Sequence, residues 1–105
     1  MKPITEAAFQ AQVLQLAKIH GWRSAHFRPA QTARGWRTAV SGDGAGFPDL
    51  ILVRGYRLIV AELKRDAKQK PRPEQTAWLD AFRGVGAEVF LWTPGDWVEI
   101  ERVLQ

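Results

Sequence analysis

Residues Asp49 to Lys64 read DLILVRGYRLIVAELK, two apolar runs separated by Arg54-Gly55-Tyr56-Arg57. A short glycine-containing connection between β-rich runs predicts a β-hairpin. Both faces of each run are apolar, which predicts strands buried on two sides and central in their sheet. With the connection spanning Arg54 to Arg57, Val53 opposes Leu58, and counting outward along both strands places Asp49 across from Glu62. Side chains alternate along a strand, so Lys64 projects on the same side as Glu62. The register therefore predicts two carboxylates, with Cβ atoms about 4.5–5.5 Å apart, and an ammonium at one end of a buried hairpin.

Like charges placed directly opposite each other destabilise a sheet, the more so in a low-dielectric interior. Two offsets are open. Lys64 is able to neutralise the pair as a structural salt bridge, or a divalent cation can bridge it. Two carboxylates leave water and a substrate phosphate to complete an octahedral Mg²⁺ shell. A site of the second kind supports metal-assisted phosphodiester hydrolysis. Lys64 would orient the attacking water or neutralise charge developing on the phosphoryl group.

The flanking sequence predicts the rest of an α/β fold. Thr5 to His20 sets Phe9, Val13, Leu16 and Ala17 on one helical stripe, with Thr5 as N-cap and Gly21 as the stop. Trp22 to Arg28 reads as a strand ended by Pro29, and residues 30–46, with Gly35, Gly42, Gly44 and Gly46, as a mobile loop. Glu74 to Arg83 carries Ala77, Trp78, Ala81 and Phe82 at helical spacing and stops at Gly84. Glu88 to Trp92 is a further strand, and Gly95 to Leu104 a closing helix or irregular turn. The order α-β-β-β-α-β predicts a single-domain α/β sandwich, with a mixed sheet of about four strands flanked by helices. Gly42 to Gly46 lacks a following Lys-Ser/Thr and leads into a strand, so no nucleotide cofactor is expected. His20 and His26 have no second histidine at metal-ligand spacing.

Composition narrows the class. The 105 residues suffice for one modest core, and 46% hydrophobic with 25% charged residues is ordinary for a folded chain. The absence of cysteine excludes disulfides, thiolate nucleophiles and cysteine-bound zinc, and suits a cytoplasmic setting. No apolar stretch approaches the roughly 20 residues of a membrane helix. The net charge of +4 is unevenly placed: residues 1–48 hold six Lys/Arg against two acids, whereas residues 49–105 hold nine of each. Arg28, Arg34 and Arg37 lie near Trp22, Phe27 and Trp36, a mixture that suits a phosphate backbone and unstacked bases, or else a solvated basic face. Arg65, Lys68, Lys70 and Arg72 follow Lys64 with only Asp66 against them, and read as a backbone-tracking loop or as a solvated one. Trp78 and Trp92 read as core; Trp22 and Trp36 as base-stacking or interface residues.

Gly46-Phe47-Pro48-Asp49 followed by Glu62-Leu63-Lys64 resembles the motif of the PD-(D/E)XK nuclease superfamily, in the compact stand-alone form of the virus-type replication-repair nuclease (VRR-Nuc) family. The element order is also similar to that superfamily's restriction-endonuclease-like core. The resemblance implies that Asp49 and Glu62 bind Mg²⁺, with Mn²⁺ substituting, that the Leu63 carbonyl adds a ligand, and that Lys64 is the catalytic lysine. It implies a place near the metal for Glu6, although an acid in a first helical turn is favoured by the helix dipole alone. It implies a contact from Gln75 to substrate or to Lys64, against the alternative of an exposed helix glutamine. Small members of the family resemble Holliday-junction resolvases and act as homodimers. The expectation is thus a homodimeric DNA endonuclease acting on branched DNA in recombination or repair, in the cytoplasm of a bacterial or phage-infected cell. A flap or single-strand nuclease, or a non-catalytic DNA-binding module on the same fold, are the alternatives.

Overall fold

Thr5 starts the first helix as expected: in the computed structural model, which describes residues 3–27, 30–32, 35–37 and 42–105 and the two short segments by backbone alone, its Oγ1 accepts from the Ala8 N–H at 3.1 Å. Helix α1 runs Glu6–Ile19 and buries Phe9, Val13 and Ala17, with Leu16 at the margin. Gly21, at φ +80°, turns the chain into strand β1, Arg23–His26. Between them Trp22 is 5% exposed and donates its indole N–H to the Leu104 carbonyl at 2.9 Å. The expected stacking or interface role for Trp22 is therefore corrected. Its N–H finds a partner inside the fold, which lets the ring join the core.

Residues 30–46 are not a plain loop. Strands β2 (Ala30–Thr32) and β3 (Gly35–Arg37) pair antiparallel as a separate two-stranded ribbon. Three-residue strands of mixed polarity carry too little alternation to stand out from their glycine-rich surroundings.

The hairpin that set the fold is present with the expected register. Strand β4 spans Leu50–Arg54 and β5 spans Arg57–Leu63, joined by Gly55-Tyr56. The turn is two residues long, with Gly55 at φ +59°, as a tight hairpin turn requires. Arg54 pairs with Arg57 and Leu50 with Ala61. Helix α2 (Pro73–Gly84) crosses over to strand β6 (Glu88–Trp92), which lies parallel to β5. The sheet order β1-β4-β5-β6 puts the hairpin in the middle of a mixed four-stranded sheet. A 3₁₀ turn at Pro94–Asp96 leads into the closing helix α3, Trp97–Leu104.

The core sits on one face of this sheet, where Leu50, Leu52, Ile59, Ala61, Leu63 and Trp92 pack with Phe9 and Val13 of α1 and Ile100 and Leu104 of α3. Glu62, between Ala61 and Leu63, points to the other face, which α2 approaches. That helix does not present the stripe its sequence suggests. Gln75 and Leu79 are buried, Trp78 and Phe82 half-buried, while Ala77 and Ala81 face solvent. At the turn end of the hairpin, Arg54 donates to the carbonyls of His20, Leu104 and Gln105, and Arg57 forks onto Glu88. These bonds fasten α3 to the sheet away from the carboxylates.

Candidate active site

Asp49 stands just ahead of β4, Glu62 near the end of β5 and Lys64 just beyond it. Continuing the register one step past the Leu50–Ala61 pair sets Asp49 opposite Glu62. Asp49 Oδ2 accepts from the backbone N–H of Leu63 at 2.8 Å, which fixes the carboxylate against β5. That bond also brings the Leu63 backbone into the site, while its side chain is fully buried in the core. Glu62 is 2% exposed.

Gln75, in the first turn of α2, links Glu62 and Lys64. Its Oε1 accepts from Arg72 N–H at 2.9 Å and from Lys64 Nζ at 3.3 Å, and its Nε2 donates to Glu62 Oε1 at 3.4 Å. The last two are long bonds, but the short one from the backbone settles which end of the amide is oxygen. The alternative of an exposed helix glutamine is thereby overturned: Gln75 is 8% exposed and touches Lys64.

Electrostatics around Glu62 are severe. Its pKa is pushed up from 4.5 to about 9 by burial first, then by hydrogen bonding to Asp49 and by that group's charge, with Lys64 opposing and Glu6 adding to the rise. Glu62 Oε2 is buried with no hydrogen-bond partner among the described residues. Such an atom is an expensive one to leave unsatisfied. Glu6 is also raised, by partial burial and then by Asp49, while Lys64 and Arg65 pull it down. It shares the site's field from the start of α1. Among the described residues no three His, Cys, Asp or Glu side chains converge tightly enough to hold an ion by themselves. An ion held here would therefore take Asp49 and Glu62 as its protein carboxylates. That fits Mg²⁺, which keeps several waters and takes one or two carboxylates plus substrate oxygens.

Arg65, Lys68, Lys70 and Arg72 lie exposed along the connection from β5 to α2. Arg65 and Asp66 also line, with Pro3, Ile4, Thr5 and Glu6, a groove of about 540 Å³ at the start of α1. Arg28 and Arg34 lie outside the described residues; Arg37 ends β3, and its side chain, like that of Trp36, is outside them too.

Sequence reading missed the bracket that holds Asp49 against α2. Gly46, at φ +81°, lies so close to the helix that a Cβ would stand 2.6 Å from Glu74 Cγ and 2.8 Å from the Gln75 nitrogen. Trp78 donates its indole N–H to the Asp43 carbonyl at 2.9 Å. Phe47 meets Phe27, Trp78 and Phe82 edge-on, with centroids 5.2, 5.0 and 5.9 Å away. The glycines at 42–46, expected to give flexibility, form a docked turn. The helical spacing of Trp78 and Phe82 was visible in the sequence, but no periodicity links that pair to positions 27 and 47.

No family model matches the sequence, and no curated protein matches it. Among solved structures, one titled "VRR_NUC domain protein" superposes with a TM-score of 0.61 over 99% of this chain and 88% of its own, at 22% identity. A likeness at that identity concerns the fold: the chain has a VRR-Nuc-like fold, a compact α/β domain with a mixed four-stranded sheet flanked by helices.

Proposed function

We propose that this protein is a metal-dependent DNA endonuclease that hydrolyses phosphodiester bonds at Asp49, Glu62 and Lys64. The observation that carries the reading is the buried Glu62 Oε2, which has no hydrogen-bond partner among the described residues in the structure's geometry, beside Asp49 and within one glutamine of Lys64. Asp49 and Glu62 would hold the divalent ion, with the Leu63 carbonyl and Glu6 as the further ligands the family resemblance implies. When bound, the ion supplies Lewis acidity and a water of lowered pKa. Asp49 is kept in position by the Leu63 N–H, so its oxygens do not have to be ordered as substrate arrives. Gln75 Oε1 holds Lys64 Nζ on the carboxylate side. From there the ammonium donates a hydrogen bond to the attacking oxygen or to a non-bridging phosphoryl oxygen. Arg65, Lys68, Lys70 and Arg72 extend from the same strand end, where they suit the backbone flanking the scissile phosphate.

The preference for branched DNA and the homodimer follow from the family resemblance and belong to this proposal. Incubation of the wild type with four-way junction, flap, linear duplex and single-stranded DNA, in Mg²⁺ and in Mn²⁺, tests it. Asp49→Ala and Lys64→Ala are expected to abolish cutting while DNA binding persists. Failure of the wild type to cut any of these forms in either metal would leave a DNA-binding module instead.

A further inference from the structure

Beside the carboxylate pair stands an aromatic ring that the chemistry above does not use. The β1–β4 register, with His26 opposite Leu50, continues to Phe27 opposite Asp49, and the Phe27 N–H donates to the Asp49 carbonyl at 3.0 Å. Directly opposed residues of antiparallel strands project on one face. Phe27, Asp49 and Glu62 therefore form a row across β1, β4 and β5. With neighbouring strands about 5 Å apart, the ring begins one strand away from the metal-binding oxygens. Phe27 is 41% exposed although it lies within the sheet's row. Among the described residues its ring contact is edge-on, 80° to Phe47, which Trp78 and Phe82 support from behind. The ring is thus braced at an edge and open beyond it.

We infer that Phe27 is a stacking platform for the nucleobase next to the scissile phosphate, so that the site takes DNA whose base at that position is unpaired and free to leave the stack. The inference rests on the nuclease reading of the carboxylates. A phosphodiester held at Asp49 and Glu62 carries a nucleoside on each side, and one of them meets this row. Inside a duplex, base faces are covered by their neighbours; only an unstacked base offers a face to a phenyl ring. Phenylalanine has no hydrogen-bonding group, so the platform accepts any base and selects structure over sequence.

The test uses a Lys64→Ala parent, which keeps the carboxylates and does not cut, and a gapped oligonucleotide carrying 2-aminopurine in the gap. Adding Phe27→Ala is expected to weaken binding roughly 5- to 150-fold, the range for loss of one base–aromatic stack, and to abolish the fluorescence change on binding. Phe27→Trp should restore both; Phe27→Leu, apolar but without a π face, should restore neither. With Lys64 present, Phe27→Ala should raise KM for gapped or branched DNA and leave kcat in place. Equal affinity and fluorescence for the Phe27→Ala and parent proteins would overturn the inference alone, as would rescue by Phe27→Leu. A fall in sedimenting mass on Phe27→Ala would also overturn it, because the ring would then face a second copy. A parent that binds no DNA of any form would overturn both this inference and the nuclease reading.

Discussion

Without a cation, Glu62 works against the fold, and the size of that effect is measurable. Burial, with Asp49 beside it, pushes its carboxyl up from 4.5 to about 9. Between those values the native state holds a proton that the unfolded chain has released, so the free energy of unfolding falls as pH rises. The fall begins near pH 4.5 and levels off above about pH 9. At roughly 1.4 kcal/mol per pH unit, it amounts to about 3 kcal/mol by pH 7, a large part of the 5–15 kcal/mol that typically holds a domain together. Glu6, also raised, adds in the same direction. Glu88, lowered by its hydrogen bonds from Arg57, acts in the opposite sense: its contribution is complete above its unfolded value and is lost only in acid. Urea denaturation in EDTA at each pH from 5 to 9 isolates the contribution of Glu62 when the wild type is compared with Glu62→Gln. The wild type should lose stability steadily, while the variant stays much flatter and becomes the more stable protein at pH 8. Mg²⁺ should close the gap, and calorimetry at pH 7 in buffers of different ionisation enthalpy should show about one proton released per ion bound. Parallel wild-type and variant profiles would refute the reasoning, since burial of a charged carboxylate would then not be what shifts the group.

Three further outcomes follow from the geometry. Gly46→Ala places a Cβ 2.6 Å from Glu74 Cγ at a left-handed backbone position, and should lower stability by about 1–3 kcal/mol, read as a lower Tm in thermal denaturation. Arg57→Ala removes a fork onto Glu88 at 2.8 Å between two half-exposed side chains, and a double-mutant cycle with Glu88→Ala should return no more than about 1 kcal/mol. Lys68→Ala with Lys70→Ala should reduce the slope of log affinity for DNA against log salt by roughly 0.7–0.9 per cation removed, with equal losses across DNA sequences.

The hairpin was legible because its pattern tolerates error. A four-residue connection and the actual two-residue turn are centred on the same point, so both pair Val53 with Leu58 and set Asp49 against Glu62. Helix α1 was legible because Thr5 and the Phe9–Val13–Ala17 stripe agree on one answer. Helix α2 broke the rule that apolar residues turn inward: Gln75 is buried with its amide bonded to Lys64, Glu62 and the Arg72 N–H, and Ala77 and Ala81 are left outside. Such conflicts between pattern and position gather at functional sites. Trp22 could not be placed from sequence because the partner that permits its burial, the Leu104 carbonyl, is 82 residues away.

One turn of helix holds the site together. Gln75 is the third residue of α2, and the oxygen that accepts from Lys64 also accepts from Arg72 N–H, one of the donors that a helix start leaves unsatisfied. Gly46 packs onto the same turn and carries the chain into Asp49. Moving the first turn of α2 therefore moves the carboxylate and the basic halves of the site together. Gln75→Glu and Gln75→Ala separate the two duties of that side chain. The carboxylate of Gln75→Glu still caps the helix and suits its N-terminal dipole, but it no longer donates to Glu62 Oε1 and sets a further negative charge beside a carboxyl already forced up by burial. Activity should drop with stability nearly kept below pH 6, and the loss of stability should deepen as pH rises. Gln75→Ala loses the cap and the lysine contact at once, lowering stability by about 1 kcal/mol at every pH together with kcat. If Gln75→Glu cuts DNA as well as the wild type, the amide's role in setting Lys64 is wrong, and the lysine must be held by the substrate itself.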